Sequence, residues 1–241
     1  MSSQHASFFG DPQFPRLAIA QMTATNDNTA HRVFQVIFQT YSRLDLTRAT
    51  DRPAAIAGLE RRLADEMRSP VAFGIFDSPK YLHRSLLWRR GNDSLLQRIA
   101  RGNPHLQVPT WSWMAYTGPI DYLDVAGAEV EWSSISLEMI SSGPAVLKAP
   151  VTEFTAEMLR HSSRLVLDTC HTVDVRNLKC VVVAQELGSP ESEGESGACY
   201  ILVVSPAQTT STYAEYERLG VAVVCRAHLA LDSGCERVSI I

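Results

Sequence analysis

The sequence predicts an α+β protein: an N-terminal helical layer packed on a C-terminal, mainly antiparallel β domain, either a sandwich or a partly closed barrel. Three observations carry this. Before residue 80 the apolar residues recur at steps of three and four, the spacing of one helix face. After Tyr122 they fall into short alternating or continuous runs separated by polar connections, the pattern of strands. Between these parts, residues 81–122 hold three of the four tryptophans, Trp88, Trp111 and Trp113. The helical segment, 1–80, and the β domain, 81–241, are expected to share one core.

Residues 1–25 contain Pro12 and Pro15, which break a helix, and Phe8, Phe9 and Phe14, which predict an irregular but docked segment. Residues 26–28 supply N-cap chemistry for a first helix. Its stripe is Val33, Phe34, Ile37, Phe38, Tyr41 and Leu44, and it ends near Leu44. Thr50 or Asp51 caps a second helix, with Pro53 in its first turn, where a missing N–H costs nothing. Ile56, Leu59, Leu63 and Met67 form its apolar face, and Ser69-Pro70 ends it. Residues 73–76 read as a short strand or the floor of a loop.

The Trp-rich stretch opens with an alternating run at 84–88 and closes with another at 108–116. A strand there would put Trp111, Trp113 and Ala115 on one face and Ser112, Met114 and Tyr116 on the other. A short helix is expected at 93–100. Strands follow at 130–132, 145–154, 164–169, 178–185, 199–205, 217–228 and 237–241. The acidic, Gly- and Ser-rich run 188–197 is a long connection between two of the most buried of them.

Composition narrows the function. The chain has 241 residues, 45% hydrophobic, 20% charged, with net charge −4, the profile of an ordinary globular protein. An acidic balance argues against general nucleic-acid binding, which needs a basic footprint. Arg84, Arg89, Arg90, Arg98 and Arg101 form a local basic cluster, read first as a solvated face with carboxylate partners. Five widely spaced cysteines, with no CxxC, do not make a zinc site or an evident disulfide framework. No signal-peptide pattern and no bilayer-length apolar run is present, so a cytoplasmic location without membrane association is expected.

No HExxH, GxSxG, P-loop or GxGxxG motif occurs, and no cofactor is implied. Asp121 and Asp124 are the best carboxylate pair. With Arg84 they are the candidate catalytic groups if the protein is an enzyme; otherwise Asp121 caps a turn and the arginines pair with the two carboxylates. Trp88, Trp111, Trp113, Tyr116 and Tyr122 are candidate binding residues if they line an aromatic cleft, and core residues if they join the helices to the sheet. The adjacent Cys170 and His171 would point to opposite faces of a strand and make no dyad.

Several phrases of the sequence also carry a family resemblance. HRSLLWRRG followed by VPTWSWMAYTGPIDYLD, preceded by YSRLDLTRATDRPAAIAGLERRL and followed by LKCVVVAQE, YILVVSPA and YERLGVAVV, resembles the region downstream of the heterokaryon-incompatibility (HET) domain in fungal proteins. The likeness runs from about Phe14 onward and lacks the HET domain's own motifs. It implies a fungal, intracellular recognition or regulatory module acting through a protein partner, and it carries over no catalytic residue. Two alternatives stand beside it. One is a cofactor-independent cyclase, lyase or isomerase of fungal secondary metabolism that uses the aromatic residues as a small-molecule pocket. The other is an inert truncated fragment.

Overall fold

The computed structural model describes residues 30–93, 95–99, 108–125, 130–138, 145–169, 175–187, 197–208, 214–229 and 236–241. The expected capping residues 26–28, the aromatics near the N-terminus, Arg101, the Cys170-His171 pair and most of the 188–197 connection lie outside them. The fold is α+β, with a large mixed sheet and a few helices.

Helix α1 spans Ala30–Ser42 and buries Val33, Phe34, Ile37, Phe38 and Tyr41. Helix α2 spans Arg52–Met67 and buries Ile56, Leu59, Leu63 and Met67. Asp51 stands at its N-cap without a side-chain bond: a short 3₁₀ turn, Ala49–Asp51, leads into the helix, so Asp51 has helical rather than extended dihedrals. Arg68 ends the helix in the left-handed conformation, φ 49°, its N–H returning to the last turn.

A hairpin follows, β1 (Val71–Ala72) and β2 (Ile75–Phe76). Its two linking residues, Phe73 and Gly74, both have positive φ, which suits the right-handed twist of a two-residue turn. Glu60 on α2 holds that turn, accepting the Gly74 N–H at 2.6 Å. Burial pushes the Glu60 carboxyl up, and the Gly74 N–H offsets part of that.

The Trp-rich stretch departs from expectation in three places. Residues 82–86 form a short helix, α3 (Leu82–Leu86), and the strand β3 (Trp88–Arg90) starts only at the tryptophan. The expected helix at 93–100 holds instead the strand β4 (Gln97–Arg98), paired with β5 (Tyr116–Thr117). Residues 113–115 make a 3₁₀ turn rather than strand, because the Ser112 hydroxyl accepts the Met114 N–H and turns the backbone. Alternation is lost there, and both tryptophans are buried anyway. Strand β6 (Ile120–Tyr122) pairs with β3, setting Trp88 opposite Tyr122 and Arg89 opposite Asp121.

The rest is β7 (Val130–Trp132), β8 (Ser136–Glu138), β9 (Val146–Glu153), helix α4 (Ala156–His161), β10 (Arg164–Leu167), β11 (Lys179–Glu186), β12 (Ala198–Pro206), β13 (Glu215–Cys225) and β14 (Glu236–Ile240). Five of these close a ring in the order β9-β11-β12-β13-β14 and back to β9. An odd number of strands cannot close with every neighbour antiparallel. The one parallel contact of the ring, β13 with β14, supplies the parity. The ring's inner face, including Leu147, Val181, Leu202, Val221 and Ile240, belongs to the same buried cluster as the helices and the tryptophans. A second, smaller cluster lies on the outer face under α4 and contains Met158, Cys180, Ile201 and Val224.

Strand β13 changes face midway. Val203 pairs with Gly220 and Val204 with Arg218, so Leu219 is an extra residue, a β-bulge. Tyr216 on one side of the bulge and Val221 on the other both reach the inner cluster, although their numbers differ in parity. The bulge thereby turns Arg218 inward. Gly220 beside it has no room for a side chain: a Cβ would fall on the Val166 carbonyl oxygen and 2.9 Å from Leu167 Cα. Gly220→Ala is expected to lose about 1–3 kcal/mol, as overpacking against backbone does, readable as a lowered urea midpoint.

The far edge of β13 is shared. β10 pairs along residues 220–223 and β14 at 215–216, leaving a split between them. Thr110 fills it. Its hydroxyl accepts the Arg218 N–H at 3.1 Å and donates to the Ile241 carbonyl, and its own N–H donates to that carbonyl at 3.0 Å. Through this split the aromatic segment is wedged into the ring. No described helix is long and apolar enough to cross a membrane.

Candidate functional site

At the wedge the side chains of Trp88, Trp111 and Trp113 are fully buried. Trp88 Nε1–H donates to the Trp111 carbonyl at 2.8 Å, and its ring packs on Tyr116 at 5.7 Å between centroids. Trp113 packs against Phe38 at 5.4 Å and Tyr41 at 6.1 Å, with the Arg52 guanidinium 5.7 Å over its ring. Tyr116 is buried, and Tyr122, half-buried, meets Phe34 edge-on at 6.2 Å. The aromatic residues thus join the helical layer to the ring as packed core.

At the centre lies an ion pair that sequence reading missed. Arg218 Nε donates to Asp168 Oδ2 at 2.9 Å, and the two side chains are 0% and 1% exposed. Nη1 donates to the Leu86 carbonyl at 2.8 Å and Nη2 to the Trp88 carbonyl, while the guanidinium carbon sits 3.4 Å over the Trp88 ring. One side chain thereby ties β13, the end of β10 and the α3–β3 junction together. Burial pushes the Asp168 carboxyl up to about 6, with Arg218 holding it from going further. The available signal was register: a charge at the inward position of an otherwise apolar strand, readable only once the bulge is known.

The candidate catalytic groups lie outside this cluster. Asp121 alternates with Tyr122 along β6, so it faces away from Trp88. It accepts from Arg43 at 2.8 Å and lies 3.9 Å from Arg89; it caps no turn. Asp124 is 73% exposed and meets Arg32 at 3.8 Å. Arg84 makes no ion pair with either carboxylate. Its guanidinium lies 5.0 Å over the Trp132 ring and 3.5 Å from His31, and burial lowers its pKa, partly offset by the Asp124 charge. The basic cluster is dispersed: Arg98 makes a bidentate pair with Glu217 at 3.0 and 3.1 Å, and Arg90 reaches the Asn92 carbonyl.

His83 lies on the other side of Trp132, its ring 5.2 Å away, and Nε2–H donates to the Ser133 carbonyl at 2.7 Å. Nδ1 is buried with no hydrogen-bond partner among the described residues. Burial lowers the imidazole pKa below 6.5, outweighing the Ser133 and Pro79 carbonyls, which favour the charged ring. The unfolded chain therefore binds more protons here. The stability due to neutral His83 is complete above 6.5 and is lost as pH falls through the window below it. The unfolding free-energy difference between wild type and His83→Gln should shrink between about pH 7 and pH 5. Urea titrations at both pH values check this, and a constant difference would refute it.

A separate cavity of about 310 Å³ opens on the outer face of the ring. β9 and β11 pair only at 152–153 with 179–180, then diverge to β8 and β7 respectively. Ser133, between β7 and β8, crosses toward β11, its N–H reaching the Val183 carbonyl at 3.2 Å and its hydroxyl the Val182 carbonyl. Glu131, Trp132, Thr152, Cys180, Gln185 and Arg226 line the space left between the strands. Gln185 is only 7% exposed, and its amide nitrogen has no acceptor among the described residues. No three His, Cys, Asp or Glu among the described residues are grouped so as to hold a metal ion.

Compared with known protein families, curated proteins and solved structures, the chain matches none. The protein is an α+β chain with a five-stranded ring, a buried aromatic wedge and a cavity beside a divergent strand pair.

Proposed function

We propose that the protein is a recognition or regulatory module acting in the cytoplasm through a protein partner, as its resemblance to the region downstream of fungal HET domains implies. The observation that supports this reading is the closure of the aromatic cluster. A cyclase, lyase or isomerase working at these tryptophans needs them around an open space with a charged group reaching in. Trp88, Trp111 and Trp113 are instead packed core, and Asp121 and Asp124 are engaged by arginines on the outside. The rigid wedge is then a scaffold that presents the surface of the helical layer.

Two measurements test the proposal together. Proximity labelling in fungal cells carrying the tagged chain nominates partners, and a purified nominee is titrated against the purified chain. Saturable binding of a purified partner supports the reading. Turnover of aromatic or terpenoid substrates by the chain, with no nominee binding in purified form, overturns it.

A further inference from the structure

We infer that the cavity between β7, β9 and β11 binds a small zwitterion of the α-amino-acid class. The ligand's carboxylate lies toward Arg226 and the Gln185 amide, its ammonium toward Glu131, and its side chain against Trp132 and the apolar sheet face. This does not depend on the protein-partner reading.

Three observations converge. The first is space: about 310 Å³ is the small end of ligand clefts, which run roughly 300–1,000 Å³. It exists because β9 and β11 separate after one short paired stretch.

The second is an unmet donor. A buried N–H without an acceptor is costly, and folded proteins rarely keep one. Gln185 is more than nine-tenths buried, lines this cavity, and carries an amide nitrogen with no acceptor among the described residues. Its neighbours across the sheet, Cys199 on β12 and Glu131 on β7, do not accept from it. A ligand oxygen would.

The third is charge. Arg226 and Glu131 line the same cavity from opposite sides of Gln185, and neither makes an ion pair among the described residues. A simple anion would satisfy Arg226 and Gln185 but would bring its charge toward Glu131; a simple amine would do the reverse. A molecule that carries both charged groups on one carbon satisfies all three. Val182 and Pro150 on the floor, with Trp132 as a wall, suit an apolar side chain.

The test is calorimetric titration of the purified chain with each of the twenty L-amino acids up to about 5 mM, the weak end of specific recognition. The tightest binder is then compared with its deamino and decarboxylated analogues. We expect binding by a subset with apolar side chains, and at least a roughly tenfold loss for each analogue. Arg226→Ala and Gln185→Leu should each weaken binding at least about tenfold. Without ligand, Gln185→Leu should melt no lower than wild type, since it removes the unmet donor. Three results would each overturn the inference: no amino acid binds; an analogue lacking one charge binds as tightly as its parent; or binding persists unchanged in both variants, which places it elsewhere. Failure here leaves the partner titration above unaffected, so the two readings stand or fall separately.

Discussion

Replacing Arg218 by Met is expected to remove about 3–5 kcal/mol of stability, because it strands a buried carboxylate. That is a large share of the roughly 5–15 kcal/mol that holds a typical domain folded. Met fills much of the space but donates nothing, so Asp168 and the carbonyls of Leu86 and Trp88 all lose a donor. The loss should depend on pH with a definite sign. The attraction between the two groups exists only while Asp168 is ionised, and its carboxyl sits at about 6. The penalty is therefore largest well above pH 6 and shrinks as pH falls toward that value, because without Arg218 the Asp168 carboxyl protonates at a higher pH than in wild type and, once neutral, no longer misses the guanidinium charge. Urea unfolding at about pH 8 and pH 5 measures it. The double variant Arg218→Met, Asp168→Leu should recover part of the loss, since removing both charges costs less than stranding one. If it is no more stable than the single variant, the pair is not the source of the effect.

Trp113→Ala should cost a similar amount, about 3–5 kcal/mol, the range for deleting a buried aromatic ring. The ring supports Phe38 and Tyr41 on α1, takes the Arg52 guanidinium over its face, and lies so close to Gly74 that a Cβ at residue 74 would overlap it. Its removal would loosen the helical layer from the wedge. Calorimetric melting of the purified variant reads the effect. A variant within about 1 kcal/mol of wild type would mean that the ring lines removable space rather than core.

The helices were legible because their apolar residues keep one period for three or four turns, as Phe34, Ile37, Phe38 and Tyr41 do. The long strands β9, β11, β12 and β13 were legible as apolar runs bounded by polar connections, continuous rather than alternating at the centres of β11 and β12, and their ends fell within a few residues. The Trp-rich stretch was not. Residues 108–116 alternate as a strand does, yet the Ser112 hydroxyl bends them into a turn, and that local bond leaves no trace in hydrophobic pattern. The buried ion pair was hidden by the bulge at Leu219, which changes which residues face inward without changing composition. The cavity was hidden too. It arises from strand divergence and joins residues near 131, 152, 185 and 226, four segments that meet only in the folded chain.

The seat of Thr110 against Ile241 also sets a timetable for synthesis. The two residues are 131 apart in sequence. At translation rates of ~5–20 residues per second, the nascent chain carries its tryptophans for roughly 7–26 s before the partner that seals them has been made. Over that interval Trp88, Trp111 and Trp113 have no ring to enter, although the segments before them are already long enough to become helical. The protein thus asks for protection during its birth in proportion to the length of its β domain. Anything that delays β14 prolongs the exposure of these tryptophans.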